Sequence, residues 1–299
     1  MKAITSRSRF SGHRTLSHSG TKEVSLITPR RALRYGRQAL RRIDEGYRSY
    51  RRDRSYHFLI YACARTGSTS LRQALDCYAG ICTAPGEPFN AHRLKGKIPD
   101  LPSLQRDVDR LWHRYNGFKH VVRSDRSVFQ EHSIDDHLLT SAASRVVLLN
   151  RRNALQRAVS LLMGQQTGVW QLRNNRGKVL DHRYEPLDKA AIRQELADEH
   201  AASVSVKRRL DESGLPYMTL WYEDVFGDGS VEQRLLALGE VIAFITGRPF
   251  RRSSLHRNAL RILNPTKTRV NSAETYERVP RIHEIDEEFG SAETGYLFR

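Results

Sequence analysis

The chain has 299 residues and a net charge of +17, with an isoelectric point near 10.2, so it can bury a full hydrophobic core and is strongly basic. Its sequence contains no run of 18 apolar residues, so we expect no membrane-spanning helix. Its three cysteines show no C-x-x-C or Cys/His spacing, which argues against a zinc site and a disulfide scaffold and favours a reducing compartment.

The first 54 residues carry much of the positive charge. They contain 15 Lys and Arg residues against four acidic residues and are rich in Ser. This composition predicts a solvated, flexible basic extension, and it also suits a transit-type peptide or an arm that binds an anionic partner. Because the hydrophobic core of a secretory signal is missing, we expect a cytoplasmic protein, with organelle targeting as an open alternative. The predicted folded domain covers residues 55–299.

Apolar runs alternate with helical patterns along this domain. The runs predict four buried parallel strands, at 57–63, 118–122, 145–149 and 217–222. The helical patterns predict helices at 69–78, 153–163, 188–213 and 231–246. Strands that alternate with helices indicate a single α/β domain with an open parallel sheet flanked by helices. Ligands of such sheets bind beyond the carboxyl ends of the strands.

A hydroxyl-rich glycine loop follows the first predicted strand, and a helical pattern follows the loop at once. A strand, a glycine turn and a helix N-terminus can hold a phosphate group, because free backbone N–H groups and the helix dipole point at the anion. The candidate anion-binding residues of this loop are Arg65, Thr66, Gly67, Ser68, Thr69 and Ser70. Since the Lys of a Walker A loop is absent, we expect a phosphate-like anion rather than a nucleoside triphosphate with magnesium.

A second phosphate-binding pattern begins at the end of the third predicted strand. Arg152 follows this strand, and Ser160 lies eight positions later, about two turns into the next helix. A guanidinium group at a strand end and a hydroxyl group on the facing side of the helix can grip one phosphate together. The sequence leaves open whether the neighbouring Arg151 points into this site or outward.

The two patterns together resemble the sulfotransferases that use 3′-phosphoadenosine 5′-phosphosulfate (PAPS). That family binds the phosphosulfate of its donor in a strand–loop–helix like residues 65–70. It binds the 3′-phosphate with an Arg-x7-Ser element, which Arg152 and Ser160 match. The resemblance covers about residues 56–225 and implies a P-loop-like α/β fold.

Other motifs carry a narrower resemblance, to the bacterial trehalose-type carbohydrate sulfotransferases. These motifs are Arg-Arg-Asn at 151–153, Ala-Val-Ser at 158–160 and Gln-Thr-Gly-x-Trp at 166–170. Three further stretches are similar to carbohydrate sulfotransferases more generally: Gly-Glu-Pro-Phe-Asn at 86–90, Gly-Phe-Lys at 117–119 and Tyr-Glu-Asp-Val at 222–225. The resemblance implies a metal-free transfer of a sulfonyl group from PAPS to a hydroxyl group, with a carbohydrate or glycolipid as the expected acceptor.

Sulfuryl transfer makes physical demands similar to those of phosphoryl transfer. A cation and hydrogen-bond donors must meet the charge that grows on the leaving oxygen, and Arg65 with the backbone of residues 67–69 could supply them. A base must take the proton of the acceptor hydroxyl. The resemblance implies Glu87 as this base, and His120 is an alternative base or a core histidine.

Two more side chains are candidates for substrate contacts. Lys119 lies in a predicted strand, where a lone Lys is unusual unless it is functional or at an edge. It could stabilise the transferring sulfonate oxygens or form an ion pair. Trp170 belongs to the polar, turn-rich stretch 164–187, which we predict to be a substrate loop or lid. Its ring could stack on a sugar or pack on the core.

Charged residues near the end of the domain have two interpretations. Glu223 and Asp224 follow the last predicted strand, and such acids more often bind neighbouring backbone than a metal. Lys267 and Arg269 would contact the 3′-phosphate if the chain follows the family, or they are surface charges.

Other classes of function remain alternatives at this point. The basic extension suits a nucleic-acid-binding protein, although the sequence contains no helix-turn-helix, zinc or RNA-binding aromatic motif. A P-loop kinase is disfavoured by the missing loop Lys. The sequence leaves open whether the chain forms a homo-oligomer.

Overall fold

The computed structural model describes residues 46, 49–90, 100–122, 132–170, 176–264 and 273–298. All of them belong to one compact unit, Asp44–Arg299. Most of the predicted basic extension, residues 171–175 of the predicted lid, and Lys267 and Arg269 lie outside these ranges. Within the described ranges, every helix is too short or too polar to cross a membrane.

Four parallel strands form the sheet, in the order β2-β1-β3-β4. Their bounds are β1 Phe58–Cys63, β2 Gly117–Val122, β3 Arg145–Asn150 and β4 Tyr217–Trp221. The predicted open parallel sheet is confirmed, and each predicted strand agrees with the observed one to within one residue at both ends. The agreement follows from burial: continuous apolar runs are typical of parallel strands that are covered on both faces.

Helices flank the sheet, as predicted. Their bounds are α1 Ser68–Leu75, α2 Leu101–Trp112, α3 His132–Thr140, α4 Ala154–Thr167, α5 Arg176–Leu180, α6 Lys189–Ser213, α7 Tyr222–Phe226, α8 Val231–Thr246, α9 Asn258–Ile262, α10 Ala273–Tyr276 and α11 Ile282–Phe289. Helix α1 ends earlier than predicted, because the Asp76 carboxylate accepts hydrogen bonds from the Thr83 N–H at 2.8 Å and the Thr83 hydroxyl at 2.7 Å. Helix α4 continues beyond its predicted end at residue 163 and stops at Gly168, which has a φ of +65°.

The core has one layer on each face of the sheet, because successive strand side chains point to opposite faces. Phe58, Ile60 and Ala62 of β1 pack with α1 and α8 on one face. Leu59 and Tyr61 pack with α2, α3 and α6 on the other. A third cluster joins α4 to α10 and α11 near the C-terminus. Helices therefore cover the two faces of the sheet, and connecting loops follow the carboxyl ends of the strands.

Residues 49–54 pack against the described core, although the sequence assigned them to the basic extension. The Arg52 side chain is buried and donates to the Trp112 carbonyl at 3.1 Å, and the Ser49 hydroxyl donates to the Arg114 carbonyl at 2.7 Å. The Asn116 side chain ties this segment to the next turn: its amide donates to the carbonyls of Asp53 and Gly80. The packed part of the chain therefore begins before residue 55.

Candidate functional site

The loop between β1 and α1 makes a tight left-handed turn at the carboxyl end of the sheet. Arg65 has a φ of +69° and Gly67 a φ of +82°. The buried Thr66 hydroxyl donates to the Cys63 carbonyl at 2.9 Å, which closes the turn. A left-handed conformation is costly for a residue with a side chain, so Arg65 stores backbone strain of the kind that occurs at functional sites.

Gly67 allows the helix to start directly behind this loop. A Cβ atom at Gly67 would lie 2.7 Å from Cδ2 of Tyr222, so only glycine fits here. Glycine has no side chain to cap the helix, and the first α-helical bond of α1 runs from Leu71 N–H to the Gly67 carbonyl at 3.0 Å. The N–H groups of residues 68–70 therefore have no acceptor one turn earlier in the helix, which is the arrangement that binds anions.

The Arg65 side chain turns from the loop toward α4. Its Nε donates to Ser160 Oγ at 2.9 Å, and its Nη1 donates to the Trp170 carbonyl at 2.9 Å. Burial, followed by repulsion from the Arg151 guanidinium, lowers the pKa of Arg65 to about 10. The structure thus brings Arg65, Ser160 and Trp170 of the predicted site together.

The Arg151 guanidinium lies against this loop, with 10% of its side chain exposed. It donates to the Arg65 carbonyl at 3.3 Å and to Gln156 Oε1 at 2.8 Å, and it stacks over the Tyr222 ring at 4.7 Å. Its Nε has no hydrogen-bond partner among the described residues and lies 4.0 Å from Glu223 Oε1. The orientation that the sequence left open is therefore inward.

Arg152 points elsewhere, with 51% of its side chain exposed. Its guanidinium binds Asp224 with two bonds of 2.7 and 3.2 Å, which raises the pKa of Arg152. Among the described residues, its side-chain contacts are with Asp224 and the Trp221 ring. The structure does not bring Arg152 to Ser160. Glu223 binds neighbouring backbone as predicted, since it accepts the N–H groups of Arg152 and Asn153, whereas Asp224 binds the Arg152 side chain.

Arg65 and Arg151 form a pair of neighbouring cations beside the first turn of α1. The buried Tyr276 lies within electrostatic reach of both arginines: burial raises the pKa of its hydroxyl, and both arginines act in the opposite direction. The hydrogen bonds of this arginine pair go to neutral oxygens, and the Glu223 carboxylate lies 4.0 Å from Arg151 Nε. A partly desolvated cation pair next to free N–H groups fits a phosphate or sulfate group.

Lys119 connects the loop to the predicted base. Its ammonium group donates to Thr69 Oγ1 at 2.9 Å and to Glu87 Oε1 at 2.7 Å. Burial lowers the pKa of Lys119, while the Glu87 carboxylate acts in the opposite direction. The other carboxylate oxygen of Glu87 accepts the Asn90 side-chain amide at 2.5 Å. A carboxylate, a buried ammonium group and the start of α1 therefore meet at one point.

The turn that carries Glu87 is attached to the edge of the sheet. Thr83 pairs with Gly117 in parallel, and Ala84 N–H donates to the Gly117 carbonyl at 2.8 Å. The Asn116 side chain accepts the Cys82 N–H at 2.8 Å. These bonds attach the turn to Gly117, which precedes Lys119 by two residues in β2. Strand β2 therefore positions both members of the Glu87–Lys119 ion pair.

His120 and Trp170 occupy different surroundings. The alternation along β2 places His120 on the face opposite Lys119, where it is buried and lies 5.7 Å from the Tyr61 ring. Trp170 is 44% exposed, and its ring lies 6.0 Å from the Arg65 guanidinium. The ring also packs against Gly164 of α4.

Sequence reasoning missed two aromatic residues that shape the site. The Tyr222 ring lies under the Arg151 guanidinium, and Tyr276 lies within electrostatic reach of both arginines, but each belongs to a short helix whose position depends on distant packing. The one signal in the sequence was the place of Tyr222 at the end of the last apolar run.

Comparison of the chain with protein-family models, curated proteins and solved structures gave no match.

Proposed function

We propose that this chain is a sulfotransferase that moves a sulfonyl group from PAPS to a hydroxyl group of a carbohydrate or glycoconjugate. The proposal depends on one observation: the Lys119 ammonium group contacts both Glu87 and Thr69. Thr69 belongs to residues 65–70, which we call the anion loop. Transfer from an anionic donor to a hydroxyl group needs an anion site, a cation and a base as neighbours. The resemblance in sequence motifs selects PAPS among anionic donors.

The donor binds, in this proposal, with its phosphosulfate at the first turn of α1. The N–H groups of Ser68, Thr69 and Ser70 and the Arg65 guanidinium are its hydrogen-bond donors. The 3′-phosphate binds near Ser160. Arg151 suits this phosphate better than Arg152, because Arg152 would have to leave Asp224 first.

The reaction forms one bond and breaks one. The oxygen of the acceptor hydroxyl bonds to sulfur, and the bond between sulfur and the bridging oxygen of PAPS breaks. The electron pair stays on the 5′-phosphate of the product adenosine 3′,5′-bisphosphate (PAP), and the hydroxyl proton passes to the Glu87 carboxylate. Arg65 and Lys119 oppose the negative charge on the leaving oxygen and on the sulfonate oxygens. The exposed Trp170 ring is the proposed contact for the sugar.

Calorimetric titration with PAP and with ATP tests the nature of the donor. We expect tight binding of PAP without magnesium and much weaker binding of ATP, with or without magnesium. Transfer of labelled sulfonate from PAPS to a panel of sugars would then identify the acceptor. A preference for ATP with magnesium would contradict the proposal and favour a kinase.

The variant Glu87→Gln tests the base. We expect its affinity for PAP to stay close to that of the wild type, while its turnover falls by about 10²- to 10⁴-fold, the usual contribution of a general base. Glu240→Gln, which makes the same change at an exposed position of α8, is the control. If both variants turn over like the wild type, Glu87 has no part in the reaction.

A further inference from the structure

The C-terminal segment, defined here as residues 273–298, lies against α4 beside the arginine pair. Its side chains Tyr276, Ile282, Ile285 and Leu297 form a buried cluster with Leu155 and others of α4. Leu155 N–H donates to the Thr294 carbonyl at 2.9 Å. The segment therefore covers the N-terminal end of the helix that follows Arg151.

One backbone carbonyl of this segment holds two side chains of α4. The Tyr296 carbonyl accepts the Asn153 amide at 2.7 Å and the Gln156 amide at 3.1 Å. Asn153 also caps α4, since its side-chain oxygen accepts the Gln156 N–H at 2.8 Å. A Cβ at Gly295 would lie 2.5 Å from Asn153 Cγ, so the segment fits closely here.

Gln156 binds both the C-terminal segment and Arg151. Its amide nitrogen is bound to the Tyr296 carbonyl, so its oxygen is presented to Arg151 Nη2 at 2.8 Å. Glutamine has a donor and an acceptor at its end, and both are used. The side chain therefore links the C-terminal segment to a guanidinium group of the anion site.

Tyr276 of the same segment is a neutral neighbour of the arginine pair. It is buried and lies within electrostatic reach of Arg151 and Arg65. The contact that holds Arg151 is the one with Gln156, which is also neutral. Gln156 can therefore hold Arg151 in place without forming an ion pair with it, and a cation that is already fixed loses less side-chain entropy when an anion binds.

We propose that Gln156 is a positioning residue that holds the Arg151 guanidinium ready for an anion, and that the C-terminal segment, which holds Gln156 through the Tyr296 carbonyl, is thereby part of the anion site. The identity of the anion as PAPS rests on the proposed function. The positioning itself requires only a phosphate-like group. Because coupling is reciprocal, anion binding must in turn stabilise the docked C-terminal segment.

Two variants with matched controls test the proposal by calorimetry, with PAP and with inorganic pyrophosphate as ligands. Gln156→Glu puts a carboxylate against Arg151 and should weaken binding about 10- to 100-fold, whereas Gln165→Glu makes the same change at an exposed position of α4 and should not. Gln156→Leu, whose side chain can bind neither Arg151 nor the Tyr296 carbonyl, should weaken binding about fivefold or more. Gln165→Leu makes the same change at the exposed position and should bind like the wild type.

Hydrogen exchange gives a readout that a purely structural role would not move. PAP or pyrophosphate should slow exchange of the Leu155 and Leu297 amides, which donate to Thr294 and Asp286 of the C-terminal segment. This slowing should be smaller in Gln156→Glu than in Gln165→Glu. If Gln156→Leu does not fold, Gln156→Glu decides by itself.

The outcomes separate this inference from the proposed function. Wild type that binds pyrophosphate but not PAP contradicts the sulfotransferase, and the variants are then judged on pyrophosphate. Wild type that binds PAP, with variants equal to their controls, contradicts the positioning role and leaves the sulfotransferase in place. Wild type that binds neither ligand overturns both.

Discussion

Two adjacent arginines at the end of β3 point in different directions, one into the protein and one toward solvent. Arg151 lies against the anion loop, and Arg152 is paired with Asp224 at the surface. A residue pair of this kind allows a comparison in which the side-chain chemistry is the same and only the direction differs. The chain direction at the strand end, rather than the residue type, decides which arginine lies against the loop between β1 and α1.

Arg151→Ala should weaken PAP binding by about 1.5–3 kcal/mol, as expected for loss of a charged hydrogen bond. Arg152→Ala is its matched control and should change PAP affinity little, since it removes an exposed ion pair worth about 0–1 kcal/mol. Calorimetry on both variants measures the difference. The reverse order of effects would return the phosphate-binding role to Arg152, as the Arg-x7-Ser pattern predicts.

The pKa of Lys119 reports on its contact with Glu87. Burial lowers this pKa and the Glu87 carboxylate raises it, so Glu87→Gln should lower it further. An NMR titration of labelled lysine side chains measures the change. The pKa of Lys119 is lower in the folded protein than in the unfolded chain. Burial of the charged ammonium group therefore lowers the free energy of unfolding at neutral pH, and this loss of stability is relieved as the pH rises through the pKa of the folded protein. An unchanged or higher pKa in the variant would contradict the contact.

At the scale of elements, the junction of β1, the anion loop and α1 depends on Gly67. Two requirements coincide there: a left-handed φ and a close approach of the Tyr222 ring. Gly168, at the end of α4, has a similar φ of +65° but open space around its Cα. The two glycines therefore separate the cost of the backbone conformation from the cost of crowding.

Gly168→Ala should destabilise the fold by about 1 kcal/mol, the usual cost of a left-handed non-glycine residue. Gly67→Ala should cost about 1–3 kcal/mol more, because the Tyr222 ring must move. It should also weaken PAP binding, because the start of α1 shifts. Urea unfolding and calorimetry measure both effects, and equal losses of stability in the two variants would contradict the crowding argument.

At the scale of the whole molecule, most of the net positive charge and the proposed anion site lie in different parts of the chain. Residues 1–43 contain 11 Lys and Arg residues and one acid, whereas the elements that hold the site belong to the unit Asp44–Arg299. The charge of residues 1–43 is what favours the nucleic-acid-binding alternative, whereas the site geometry that favours an enzyme lies in the unit Asp44–Arg299. One deletion can therefore test both.

Removal of residues 1–43 should leave PAP affinity unchanged and lower the salt-dependent binding of the chain to double-stranded DNA. Calorimetry and a salt series of DNA titrations measure the two effects on the same preparation. A deleted chain that keeps its DNA affinity and its salt slope would locate the basic surface in the folded unit. Loss of PAP binding would contradict the separation of the two parts.

Much of the fold could be predicted, since its strands are continuous apolar runs and α8 has the predicted bounds. The place of the loop between β1 and α1 could be predicted as well, because its residues are contiguous. The Glu87–Lys119 contact could not, since it joins two segments through the pairing of residues 83–84 with Gly117. Tyr276 could not be found either, because its place beside Arg151 depends on how the C-terminal segment packs on α4.

The sequence by itself determined the sheet and the position of the loop between β1 and α1 along the chain. These are local properties, set by the period of burial and by residues that follow one another. Only the tertiary structure decided that Arg151 rather than Arg152 faces the loop, and that Glu87 reaches Lys119. Such choices depend on side-chain direction and on contacts between distant segments, which no local pattern encodes.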